Sequence, residues 1–158
     1  MSTQGPVLVV DSNPDMTGLL QRFLTRQQVD SQAVWSPAAA QAVLAQRVFP
    51  VVLTDLFAPT GDGLALSRHL QQTAPATRVI LMGVFGTPAL RCQALAAGIY
   101  ALLVKPFRLQ ALWDVVQPAL QGFPAPAAYR GGGPGGLWLP PGVEIIPEMR
   151  GRPEGRAS

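Results

Sequence analysis

Residues 51–63 read VVLTDLFAPTGDG: an unbroken apolar run, an aspartate at its end, then a turn that carries Pro59, Gly61 and Gly63. Extended back to Val48, the run from Val48 to Thr54 is apolar on both faces, the pattern of a central strand in a parallel sheet. Such a strand needs helices on both sides, and the following residues supply the first of them. Asp62 and Gly63 open a helix whose stripe passes through Leu66 and Leu70 and which ends before Pro75. The stretch predicts strand, loop and helix, with Asp55 left at the carboxyl end of the strand.

The same unit recurs on either side. Toward the N-terminus, Val7-Leu8-Val9-Val10 is followed by Ser12-Asn13-Pro14, a cap candidate and a proline suited to the first helical turn. Met16, Leu19, Leu20, Phe23 and Leu24 then make one apolar face. Val29 to Trp35 forms a weaker strand, and Ser36-Pro37 opens a helix with Ala40, Val43 and Leu44 on its inner side. Toward the C-terminus, Arg78 to Met82 is a strand, and Thr87-Pro88 caps a helix that stops at Gly98. Tyr100 to Val104 is the fifth strand. Leu109, Leu112, Trp113 and Val116 give a final stripe that ends near Pro118.

Five strands each followed by a helix imply right-handed crossovers and a parallel sheet covered on both faces, a doubly wound α/β sandwich over residues 5–121. From 122 to 158 glycine and proline dominate, so this tail builds no core of its own and is expected to be mostly disordered. Ligands of such sheets bind outside the carboxyl ends of the strands. Those ends are Asp11, Asp55, Gly83 and Lys105. Lys105 is the only lysine in a chain whose other strong bases are all arginine, and the two are not equivalent, since an ammonium is a point charge and a guanidinium a wide fork. With the first strand central and the third beside it, Asp11 and Asp55 converge and Lys105 reaches them from the fifth. Two carboxylates suit a hard ion such as Mg2+. An aspartate can also attack a phosphoryl group while cations neutralise the transferred oxygens.

Val7 to Asp15 (VLVVDSNPD), Val51 to Gly63, Val79 to Phe85 (VILMGVF) and Leu102 to Phe107 (LLVKPF) resemble, in order and spacing, the receiver domain of bacterial two-component response regulators. The resemblance runs from about Val7 to Leu120 and implies a flavodoxin-like (βα)5 receiver fold. It makes Asp55 the phosphoacceptor, Lys105 the phosphate contact, and Asp11, Asp55, the Phe57 backbone carbonyl and, weakly or through water, Ser12 the holders of Mg2+. Pro106 stands where the family often has a cis peptide bond, and Pro59 and Gly63 match the loop after the acceptor. The departures fall in the same places. Ser12 replaces the second acidic residue, Gly83 the hydroxyl residue that meets the phosphoryl group, and Leu102 the aromatic ring that turns inward on activation. Val84 is larger than is usual there and narrows access to the acceptor. A ligand shifts a two-state equilibrium only through contacts that differ between the states, so the usual readout on the fourth helix, fifth strand and fifth helix is expected to be weak or altered.

Composition removes other classes. A net charge of +3 on 158 residues gives no strong field for nucleic acid. The single Cys92 excludes an intrachain disulfide and reads as a small buried hydrophobe in an alanine-rich helix. The solitary His69 excludes a histidine metal cluster. No apolar run is long enough for a membrane span and no leader is visible, so the chain reads as cytoplasmic. An aspartyl-phosphate phosphohydrolase wants a second aspartate where Phe57 stands, and no Gly-x-x-x-x-Gly-Lys loop is present. Not an enzyme, the chain reads as a stand-alone receiver in a phosphorelay, taking a phosphoryl group from a histidine kinase or phosphotransfer protein and acting on an effector protein or a second copy of itself. Two alternatives remain: a pseudo-receiver adaptor indifferent to phosphorylation, and a DNA-associated regulator using Arg150-Gly151-Arg152-Pro153, whose flanks Met149 and Glu154 are poor for minor-groove binding. The tail also holds one dense apolar patch, Leu137 to Ile146, suited to docking on the receiver, on a second copy or on a partner.

Overall fold

The computed structural model describes residues 4–57, 60–84 and 88–122. In chain order the elements are β1 (Gln4–Val10), α1 (Pro14–Arg26), β2 (Val29–Val34), α2 (Pro37–Leu44), β3 (Val51–Asp55), α3 (Asp62–Thr73), β4 (Arg78–Gly83), α4 (Pro88–Ala96), β5 (Ala101–Val104) and α5 (Leu109–Leu120). All strand pairs are parallel, in the order β2-β1-β3-β4-β5. This is the doubly wound sheet expected from the alternation.

Local chemistry starts the first two helices. The Asn13 side chain accepts from the Asp15 amide with Pro14 in the first turn, and the Ser36 hydroxyl accepts from the Ala39 amide with Pro37 behind it. Each cap satisfies an amide the helix leaves without a partner. The chain moves one way across the sheet from β1 to β2 and the other way from β2 through β5, so right-handed crossovers put α1 on one face and α2, α3 and α4 on the other. Phe23 of α1 meets Trp113 of α5 edge to face at 6.3 Å, which returns α5 to the α1 side. Between the layers lie Val7 to Val10, Val51 to Leu53 and Ile80 to Met82, all buried.

Several boundaries move. β3 begins at Val51, not Val48: Val48 is 83% exposed while Phe49 is buried, and Pro50 has no amide to give a ladder. Trp35 lies just beyond β2 and is 52% exposed. β1 starts earlier than expected, at Gln4, with an irregular register between Gln4 and Val7. β5 starts one residue later, at Ala101, and β4 runs one further, to Gly83. Pro118 does not end α5, because it sits in the last turn, where one lost hydrogen bond is outweighed by burial of Val115, Val116 and Ala119. Cys92 is exposed. The buried stripe of α4 runs through Ala94 and Ala97, with Leu90 partly buried a turn earlier, and a residue two places before Ala94 falls on the opposite side. Pro59, Thr87 and the expectations for the tail lie outside the described residues.

Candidate functional site at the strand carboxyl ends

Register fixes the site. Val10 pairs with Thr54, Asp55 with Met82, and Gly83 with Val104, so Asp11, Asp55, Gly83 and Lys105 finish their strands side by side. Two backbone bonds hold the rim past the strands: Leu56 N–H donates to Met82 O at 2.7 Å and Lys105 N–H to Gly83 O at 2.9 Å. The start of α3 closes tightly below, where a Cβ on Gly63 would run into the Asp55 carbonyl oxygen. The Lys105–Pro106 peptide is cis, as the resemblance implied.

One nitrogen ties the rim together. Lys105 Nζ lies 2.7 Å from Asp11 Oδ2 and 2.7 Å from Asp55 Oδ1. The remaining carboxylate oxygens are also engaged: Asp11 Oδ1 accepts from the Asn13 amide at 3.0 Å and Asp55 Oδ2 from the Phe57 amide at 2.7 Å. The Asp11 side chain is 3% exposed, against 19% for Asp55 and 23% for Lys105. Asp11 is thus the buried anchor and Asp55 the carboxylate that faces outward. Burial pulls the Lys105 ammonium down, but the hydrogen bonds and charges of Asp11 and Asp55 outweigh it and hold its pKa above the ordinary value.

The donor set can be weighed against a hard divalent ion. Two carboxylates match Mg2+, which keeps waters and takes one or two protein carboxylates. The other two expected ligands contribute little. Ser12 is exposed and neutral. Phe57, in a left-handed conformation at φ 59°, has a carbonyl that already accepts from Gly61 N–H at 2.8 Å and Thr60 Oγ1–H at 2.9 Å. Both acceptor directions of that oxygen are filled, so a cation gains it only at the expense of a hydrogen bond. Among the described residues no cluster of three His, Cys, Asp or Glu side chains is disposed to hold a metal.

The departures have a structural form that the sequence did not reveal. Gly83 is buried, and a Cβ placed on it would meet Leu56 Cβ at 2.9 Å, so the space a hydroxyl residue would take is filled by the residue just past β3. Leu102 is fully buried in β5. Val84 is exposed. Two contributors had no sequence signal: the Phe57 amide, a backbone group, and Leu56, one apolar residue among many.

The profile of the response regulator receiver domain matches residues 7–117. The chain is 36% identical over 114 residues to the response regulator protein PilR of Pseudomonas aeruginosa, covering 72% of this chain and 26% of PilR. It is also 36% identical over 108 residues to protein PetR of Rhodobacter capsulatus, covering 68% of this chain and 45% of PetR. The chain therefore spans less than half the length of these relatives. Among solved structures, the beryllofluoride-activated NtrC4 receiver domain dimer aligns with a TM-score of 0.68 at 25% identity, over 73% of this chain and 96% of that one. The chemotaxis response regulator CheY4 of Vibrio cholerae aligns with a TM-score of 0.68 at 21% identity over 75% of this chain and all of its own, and shows the shared fold.

Proposed function

The chain belongs to the response regulator receiver domain family, and from that premise we propose that it accepts a phosphoryl group on Asp55 from a histidine kinase or phosphotransfer protein. The observation that carries this reading is the single ammonium shared by Asp11 and Asp55 at 2.7 Å each. The Phe57 amide pins Asp55 Oδ2 and so fixes the rotation of the carboxylate. A carboxylate oxygen of Asp55 attacks phosphorus, the new O–P bond forms as the donor's N–P bond breaks, and the imidazole nitrogen leaves with the electron pair. Lys105, already at the acceptor, takes up charge on the transferred oxygens without a new side chain having to arrive. Asp11 and Asp55 would hold Mg2+, which would supply further neutralisation of phosphoryl charge. Because Ser12 is neutral and the Phe57 carbonyl is engaged, these residues would hold the ion weakly.

A second reading, a pseudo-receiver adaptor that works whatever the state of Asp55, is favoured by the rim beside the acceptor. Leu56 fills the space next to Gly83, and Leu102 is an already buried side chain without a ring to turn. Both readings share protein–protein contacts as the output.

One experiment separates them. The protein is incubated with magnesium and a small acyl-phosphate donor, and its intact mass is compared with that of Asp55→Asn. One phosphoryl adduct in the parent and none in the variant supports acceptance at Asp55. No adduct even at high magnesium leaves the adaptor.

A further inference from the structure

The opposite edge of the sheet carries a groove that the proposed function does not use. It has a volume of about 290 Å³ and lies between the end of α2 and the end of α3. Leu44, Val48, Phe49, Leu70 and Ala74 form its apolar lining, with Arg47 and His69 also lining it. Its floor is fixed by Thr77, whose hydroxyl donates to Phe49 O at 2.8 Å, and by Arg78, whose amide donates to Pro50 O at 2.9 Å. Val48, the most exposed large hydrophobic among the described residues, stands in this groove with no part in the core. An exposed apolar patch with a polar rim marks an interaction site.

The course of the chain indicates the occupant. α5 runs antiparallel to the strands and delivers Gly122 to this same edge, where Arg78 Nη2 donates to its carbonyl at 3.1 Å. Gly122, Arg78 and Pro50 thus meet at one corner, and Pro50 directly follows the groove residues Val48 and Phe49. After fourteen intervening residues the sequence reads LWLPPGVEII at 137–146, where six of ten positions are large hydrophobics. Fourteen residues can span at most about 50 Å, well beyond the radius of gyration of roughly 14 Å for a domain of this size. The one charge in the segment is Glu144; Arg47 at the groove is already paired with Asp30 at 3.0 Å, so the fit rests on the apolar positions. A ligand tethered this way has an effective concentration of order millimolar, so even a weak site is filled by its own tail before a second copy at micromolar concentration competes.

We propose that residues 137–146 dock intramolecularly in the groove between α2 and α3, with Trp138 against Val48 and Leu44. This contact is independent of Asp55 and its chemistry. The test uses the full chain and its amide and indole resonances. Trp138→Ala, which also identifies the Trp138 indole among the three, is expected to shift the amides of Val48, Phe49, His69 and Thr77, equally at all protein concentrations. Val48→Arg, at an exposed position that leaves the core intact, is expected to move the Trp138 indole to its place in the isolated 137–146 peptide. Shifts confined to the neighbours of residue 138 in sequence, or an indole that already coincides with the free peptide, overturn the proposal. Shifts that grow with protein concentration overturn it in favour of a second copy. Asp55→Asn is expected to leave all of these signals unchanged, so the outcome stands apart from the phosphoacceptor reading.

Discussion

The rim of the sheet divides into two halves built from the same strand ends. On one half, Asp11, Asp55 and Lys105 form a closed charge network in which all four carboxylate oxygens have a partner. On the other, Gly83 and Leu102 stand where the family resemblance implies a hydroxyl and an aromatic ring, and the space beside Gly83 is taken by Leu56. On the proposed reading the first half takes up the phosphoryl group; the second offers it nothing that would move. The groups that would capture a phosphoryl and the groups that would report it are therefore separable, and substitutions on each half have different signatures.

The largest effect is expected from Lys105→Met. The variant keeps an unbranched side chain one atom shorter and removes the charge, leaving Asp11 buried and facing Asp55 with no cation between them. Breaking one partner of a buried ion pair destabilises by about 3–5 kcal/mol. Denaturant unfolding measures this loss, and the acyl-phosphate adduct should vanish with it. Unfolding within a few tenths of a kcal/mol of the parent would show that the network on the first half is not structural.

The second half is tested by Gly83→Ala. Its Cβ meets Leu56 Cβ, the fixed base of that side chain rather than its mobile end, so the backbone must give. Overpacking of this kind costs about 1–3 kcal/mol. Leu56→Gly, which removes that Cβ together with the rest of the side chain, opens a cavity and costs at least about 2–5 kcal/mol. The double variant should be more stable than the sum of the two losses implies, which a double-mutant cycle reads directly. Strict additivity would mean that Leu56 does not occupy the place of the missing side chain.

Ionisation of Lys105 gives a smaller effect, with a defined sign. Its pKa is raised in the folded state, so its protonated form favours folding. That contribution is complete below the unfolded value of about 10.4 and is lost as pH rises through the folded value. The stability difference between the parent and Lys105→Met, followed by denaturant unfolding from neutral pH upward, should hold constant and then shrink above about pH 10.4. A difference that shrinks instead toward acid would assign the network's stability to the carboxylates.

Much of this was legible in the sequence, for reasons that also mark where legibility stopped. The order of elements could be read because Asn13-Pro14 and Ser36-Pro37 are local signals and their caps formed as expected. The site could be read because a wound sheet brings strand-end residues together, whichever loops join them. Val48 misled because an apolar residue before a strand looks like the strand, while a groove can keep it exposed. Pro118 misled because a proline in a last turn removes only one hydrogen bond. Cys92 misled because an alanine-rich helix does not declare its inner face by composition, and only the periodicity of Ala94 and Ala97 settles it. The filled Phe57 carbonyl and the Leu56 plug depend on loop conformation and on packing across strands, which no spacing encodes.

The smallest expected effect sharpens the contrast by strengthening the first half alone. Ser12→Asp restores a carboxylate beside Asp11 at an exposed position, where it adds charge without altering the core. Without a cation the extra negative charge faces Asp11 and Asp55, and like charges at one site disfavour one another, so the metal-free variant should melt slightly lower than the parent. With magnesium the order should reverse, because a ligand that binds only the folded state stabilises it in proportion to its occupancy. A gain of about tenfold in affinity, equivalent to about 1.4 kcal/mol, is a reasonable scale for one added ligand. Calorimetric titration with magnesium measures the affinity, and melting with and without the ion gives an independent readout. The second half should be untouched: amide signals around Gly83 and Leu102 should not follow the titration. If Ser12→Asp left both the affinity and the melting shift at parental values, a cation between Asp11 and Asp55 would lose its support, and Lys105 alone would remain to neutralise the acceptor.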